Sequence, residues 1–203
     1  MESGKSNTDS VSIGVFATLF ASTARAKVLQ LFMLDPHRAY YQRQIEAATG
    51  LAIRAVQREV ERLTKIGLLY RRSEGNRTYY QVDIQFPLFP ELRGMVLKAS
   101  EPVDRLRGML AMDDGVRLAF LNEEEHRVLL VAAAGRRPGL TASEPFRFEV
   151  MTSEAFVQAL GENPESIEPF LVRGIDLLGR RDDVIWRRIE SAGYAVEKGR
   201  GVA

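Results

Sequence analysis

Apolar residues recur at helical spacing from the start of the legible pattern. Phe16, Leu19, Phe20, Val28, Leu31 and Phe32 predict a helix over about 16–34, ended by Asp35, Pro36, His37 and Arg38. A short helix over 42–49 follows, with Ile45 and Ala48 on its apolar side and Gly50 as a left-handed stop. A longer helix is expected at about 52–66, ended by Gly67. Its apolar stripe is Ile53, Val56, Val60 and Leu63, spaced 3, 4 and 3. The next stretch, "LYRRSEGNRTYYQVD", holds two runs of β-type residues around a bend. It predicts strands at about 68–73 and 78–82 with a turn at 74–76, where Gly75 and Asn76 tolerate positive φ. A lone hairpin is marginal in water, so this one must lean on the helices before it. Tyr79 and Tyr80 alternate, so one packs inward and the other lies outside.

A helical connector then covers about 88–112. Leu92, Val96, Ala99, Val103, Leu106 and Leu110 form a seam spaced 4, 3, 4, 3 and 4, with Pro102 splitting it near Ser100. Such a seam packs either on its own chain or on a second copy. Beyond Gly115 the texture changes. "GVRLAFLN" and "HRVLLVAAAG" predict strands joined by an acidic bend at 123–125, and "PFRFEVMT" a third. A helix capped by Ser153, a helix within 164–180, a short strand at 176–178 and a last helix from about 182 complete a small α+β module. The expected organisation is a disordered tail at 1–13, a first domain at 14–87, the connector at 88–112, an α+β domain at 113–196 and a loose tail at 197–203.

With 203 residues, 45% hydrophobic and 27% charged, the chain has an ordinary globular composition. It has no cysteine, which excludes disulfides and thiolate metal sites. His37 and His126 lie far apart in sequence, so no histidine-rich metal site is expected, and no cofactor. The net charge of +1 hides an asymmetry. Residues 1–100 carry 14 Lys and Arg against 9 Asp and Glu, and the remainder carries 14 against 18. A basic half joined to an acidic half suggests modules with different partners. The apolar run "VSIGVFATLFAS" is not read as a signal peptide, and no run reaches membrane-spanning length. The expected location is cytoplasmic, without membrane contact.

The chemistry concentrates on the 52–66 helix. With its apolar stripe inward, Arg54, Arg58, Arg62 and Lys65 face outward, with Glu61 among them and Gln57 on the flank. Arginine pairs with guanine in a bidentate contact and glutamine with adenine. Recognition helices read bases with their N-terminal residues, so Arg54, Gln57 and Arg58 are the candidate base readers. Arg62 and Lys65 suit phosphates or solvent. Arg43 starts the shorter helix and suits a phosphate. At the hairpin tip, Asn76 and Arg77 are placed to meet the DNA backbone or a narrow minor groove. The bland alternative for each is a solvated surface charge. In the C-terminal half, Glu123, Glu124 and Glu125 read as a solvated turn, and Asp182 and Asp183 as a favourable helix start. The "GRRPG" loop at 135–139 is a weak anion-site candidate. No phosphate loop, G-x-S-x-G or H-E-x-x-H is present.

The motifs "TGLAIRAVQREVERLTKIGLL", "EGNRTYYQV" and "PLFPELRGMVLK" give residues 20–100 a resemblance to the arsenic-repressor-like winged helix-turn-helix regulators, in particular those fused to a DNA polymerase β-like nucleotidyltransferase domain. The segment "RFEVMTSEAFVQALGENPESIEPFLVRGIDLLG" resembles the second part of that fusion. That family's metal-binding Asp-x-Asp has no counterpart here, because "LAFLNEEEHRVLLVAAAG" takes its place. The resemblance therefore implies an α+β chain with a winged helix-turn-helix, a connector and a degenerate, non-catalytic module. The expected function is that of a homodimeric, sequence-specific regulator of transcription on double-stranded DNA. Its C-terminal module would dimerise, bind a small-molecule or nucleotide effector, or both. The alternatives are a nucleotidyltransferase with a DNA tether and an antitoxin-like partner protein.

Overall fold

The first expected helix is two. In a computed structural model that describes residues 8–140 and 143–199, with side chains from residue 14 onward, α1 spans Thr8–Leu19 and α2 spans Thr23–Leu34. The break has a local cause. Ser22 caps α2, its hydroxyl accepting from the Arg25 N–H at 3.2 Å, and Ala21 turns through a left-handed φ of 51°. Helix α1 thus starts inside the stretch 1–13 expected to be disordered, and residues 1–7 lie outside those described.

The chain is a mixed α+β protein that divides into two compact units, Met1–Met112 and Asp113–Ala203. In the first, α2 is central. It buries Val28, Leu31 and Phe32 and packs against α1, α4 (Ile53–Lys65), α5 (Phe89–Ala99) and α6 (Pro102–Ala111). Helix α3 (Gln42–Thr49) ends at left-handed Gly50, and Lys27 of α2 donates to the carbonyl of Thr49 at 3.0 Å. Helix α4 buries Val56, Val60 and Leu63, as its spacing predicts, while Ile53 is half-buried.

The hairpin pairs β2 (Leu69–Glu74) with β3 (Arg77–Val82) through the two-residue turn Gly75–Asn76. Gly75 alone takes a positive φ, 57°, the pattern of turns whose first central residue is glycine. A two-residue strand that the sequence reading missed, β1 (Tyr40–Tyr41), adds to β3 and gives the sheet order β1-β3-β2. Tyr80 is buried and Tyr79 is half-buried. The loop before β1 is fastened as well, because Gln81 donates to the carbonyls of Pro36 and His37. The connector packs on α2 within this same unit. Pro102 divides it as expected, and Arg105 ties the parts together by donating to the carbonyls of Leu97 and Ser100, both at 3.0 Å. Of the seam, Val96, Leu106 and Leu110 are buried, whereas Leu92, Ala99 and Val103 are half-buried.

The second unit holds a sheet of order β6-β5-β4-β7-β8. Strand β4 (Val116–Asn122) runs antiparallel to β5 (Arg127–Ala132), and β6 (Arg147–Thr152) runs parallel to β5. Strand β7 (Ile175–Asp176) lies against β4, and β8 (Glu197–Lys198) against β7. The tail from 197 therefore contributes an edge strand rather than a loose end; residues 200–203 lie outside those described. The cap of α7 (Ser153–Glu162) is Thr152, not Ser153, whose buried hydroxyl donates instead to the carbonyl of Ala132. The helix expected within 164–180 shrinks to a 3-10 turn and the single-turn α8 (Glu168–Leu171), in a stretch punctuated by Pro164, Pro169 and Gly174. Asp183 caps α9 (Val184–Ser191), accepting from the Ile185 N–H at 2.8 Å. In the core, Phe120 stacks on Phe156 at 5.9 Å and on Trp186 at 5.8 Å.

Candidate nucleic-acid interface

The start of α3, the start of α4 and the hairpin turn enclose one open cavity of about 640 Å³. Four of the residues singled out from sequence line it: Arg43, Gln57, Asn76 and Arg77, joined by Tyr41 and Gln42. Among the described residues, no acidic side chain lines it. Short-range order produces this convergence. Strand β1 leads straight into α3, and its pairing with β3 sets Tyr41 opposite Tyr79. The β2–β3 ladder sets Glu74 opposite Arg77, but Glu74 pairs with Arg72 at 3.1 Å.

Arg77 is held in place. Its guanidinium lies 4.9 Å from the centre of the Tyr41 ring. A hydrogen bond to the Tyr79 side chain raises its pKa above the ordinary arginine value, followed by the charge effects of Tyr41 and Tyr79. The two tyrosine rings meet edge to face at 5.7 Å. Gln57 is held too. Its Nε2 donates to Gln42 Oε1 at 3.2 Å, and Gln42 Nε2 donates to the Tyr80 hydroxyl at 3.2 Å. Gln57 keeps its second N–H and its carbonyl oxygen, the donor and acceptor that adenine requires.

The remaining α4 residues stand outside the cavity. Arg54 is exposed in the first turn of the helix, and among the described residues it has no hydrogen-bond or ion-pair partner. Arg58 and Arg62 are more constrained than a free surface stripe would be. Glu59, fully buried on the inner side of α4, lies 3.6 Å from Arg58 and 3.1 Å from Arg62. It also binds Arg25 of α2 at 3.1 Å. Arg25 in turn donates to the carbonyl of Phe20, which ties the end of α1 to the same carboxylate. Sequence reasoning passed over Glu59, yet its position was legible: three residues after Val56 and beside Val60, it lies on the inward arc.

The second unit presents a different chemistry. At the "GRRPG" loop, the Asp113 carboxylate accepts from the backbone N–H groups of Gly115, Gly139 and Leu140. Gly115 is fixed by space, since a Cβ there would collide with the Arg137 carbonyl oxygen. At the β4–β5 bend, Glu125 binds Arg127 at 2.6 Å, and Asn122 accepts from the Glu125 N–H. Strand β5 is apolar and buried from Val128 to Ala132. Among the described residues, no three His, Asp or Glu side chains are grouped to hold a metal, and no helix is long and apolar enough to cross a membrane. Compared with protein-family models, curated proteins and solved structures, the chain has no match.

Proposed function

We propose that the chain is a homodimeric, sequence-specific DNA-binding regulator of transcription. In this reading α3 and α4 form a helix-turn-helix and the β2–β3 hairpin is its wing. The observation that carries it is the convergence of Arg43, Gln57, Asn76 and Arg77 on one acid-free concavity beside the exposed Arg54 and Arg58. Phosphate contacts through arginine give affinity, and Arg54, Gln57 and Arg58 at the start of α4 give selectivity in the major groove. The second unit acts as a non-catalytic, degenerate nucleotidyltransferase-like module for dimerisation or effector binding. Support for that is the apolar, buried β5 at the position where the resembling enzymes carry their metal-binding aspartates.

The dimer has a candidate seam on α5. Leu88 and Met95 are exposed, Leu92 and Ala99 half-buried, and the four are spaced 4, 3 and 4 along one side. Glu91 and Lys98 flank that side, so an antiparallel pairing with a second copy sets opposite charges against each other. The test of the whole reading is selection of bound duplexes from a randomised pool by the purified protein. The expected result is a pseudo-palindromic consensus whose half-sites lie about 10 base pairs apart or at multiples of that spacing. Failure to enrich any sequence would refute sequence-specific recognition.

A further inference from the structure

On the strength of the DNA-binding reading, we infer that Tyr41, Tyr79, Arg77 and Arg43 form a preformed clamp for a single backbone phosphate of duplex DNA. Arg77 is therefore a phosphate ligand rather than a minor-groove reader. Four observations converge on this.

The first is direction. Arg77 lines the cavity between α3, α4 and the turn, together with Arg43, Gln42 and Gln57. A side chain that reads a minor groove must reach away from the recognition helix, beyond the tip of the wing. Arg77 instead lies against Tyr41, the residue immediately before α3. The second is preorganisation. Arginine is among the most flexible side chains, and ordering it on binding costs rotamer entropy. Here the Tyr41 ring under the guanidinium, itself braced by Tyr79, already restrains it. Stacking uses the face of the guanidinium plane and leaves N–H groups along its edge for phosphate oxygens.

The third observation is charge. The neighbouring carboxylate that could neutralise Arg77, Glu74, is bound to Arg72 at 3.1 Å. Arg43 borders the same cavity, and among the described residues no acidic one lines it. Two cations thus face one concavity large enough for a phosphate group with its bridging waters. The fourth is continuity with base reading. Gln57 stands on the same wall, held by Gln42. A phosphate fixed at Arg77 sets how far the start of α4 enters the adjacent groove, so the clamp positions the reader without reading sequence itself.

The experiment measures affinity of the full chain against salt, using fluorescence anisotropy on two labelled duplexes of about 20 base pairs. One is of mixed sequence and the other carries a central A-tract. For wild type, affinity falls steeply with salt on both. Arg77→Ala is expected to flatten the slope by about 1 per protomer, and equally on the two duplexes. Tyr41→Leu removes the ring beneath the guanidinium and keeps the cation. It is expected to weaken binding about threefold while leaving the slope unchanged, because the number of displaced counterions stays the same. An unchanged slope for Arg77→Ala, or a loss confined to the A-tract duplex, overturns the clamp while leaving DNA binding intact. A wild-type protein with no salt-sensitive affinity for either duplex overturns both the clamp and the function beneath it.

Discussion

Arginines are put to different uses in the two units. In the second, Arg117, Arg127 and Arg181 are fastened to the fold, while Arg137, Arg147, Arg173, Arg187 and Arg188 stand exposed. Arg181 binds the fully buried Asp176 at 3.1 Å, lies 3.9 Å from the Trp186 ring centre and donates to the Val196 carbonyl. Arg117 joins Asp183 at 2.7 Å to Ser153, and Arg127 spans Glu125 and Glu149, both at 2.6 Å. These pairs pin loops and strand ends to the sheet. In the first unit, Glu59 holds Arg25, Arg58 and Arg62, Asp104 pairs with Arg107 and Glu74 with Arg72, whereas Arg43, Arg54 and Arg77 have no carboxylate partner among the described residues. The difference teaches that net charge is the weaker signal. A module advertises an anionic partner by the cations it leaves unneutralised on one face, not by its total.

That contrast makes the largest prediction a structural one. Arg181→Ala strips the buried Asp176 of its cation, although Leu178 and Gly179 still donate to it. The expected cost is about 3 kcal/mol in urea denaturation followed by Trp186 fluorescence. A loss below half a kcal/mol would show that the backbone donors suffice, and that the inward arginines of this unit are ornamental. Next comes Arg58→Ala. Arg58 is 59% exposed and its ion pair is long, at 3.6 Å. Stability should therefore change little, while affinity for a selected site falls by about 1–3 kcal/mol. Unchanged affinity, read by anisotropy, would remove Arg58 from the base readers and leave Arg54 and Gln57.

Glu59→Gln tests the one place where the two habits meet. The buried carboxylate holds Arg25, Arg58 and Arg62, so its neutralisation should lower stability by about 1–3 kcal/mol in the same urea assay. On the proposed function it should also raise affinity for mixed-sequence DNA, since one negative charge beneath the proposed DNA-facing side of α4 is gone and two arginines are released. Lower non-specific affinity would mean that Glu59 serves DNA binding by orienting those arginines, not by restraining them.

Where the sequence spoke clearly, a periodic apolar stripe settled the matter. Val56, Val60 and Leu63 placed α4, and the β-type runs around Gly75 placed the hairpin, because packing against α2 agreed with local preference. What escaped had no period to show it. Strand β1 is two residues long and exists only because β3 offers it an edge. The break before α2 rests on one hydroxyl, that of Ser22. The site was half legible for the same reason. Helical spacing exposes which arginines point outward, whereas the cradle of Arg77 needs Tyr41 and Tyr79, 36 and 2 residues away, brought together by β-pairing. Glu59 was hidden by the habit of assigning every charge to the outside.

The smallest expected effect probes the finest detail of the basic face. Gln42 contacts Gln57 from the neighbouring helix, and its own amide is set by the Tyr80 hydroxyl. If that chain orients Gln57 toward an adenine, then Gln42→Ala should cost about 0.5–1 kcal/mol, and only on duplexes that carry the adenine. The measurement is competition between a selected site and its single base-pair variant. The double mutant with Gln57→Ala should lose no more than Gln57→Ala alone, because Gln42 has nothing left to orient. Additive losses would instead place Gln42 on the DNA in its own right, and the cavity wall would then hold two independent amide contacts in place of one positioned reader.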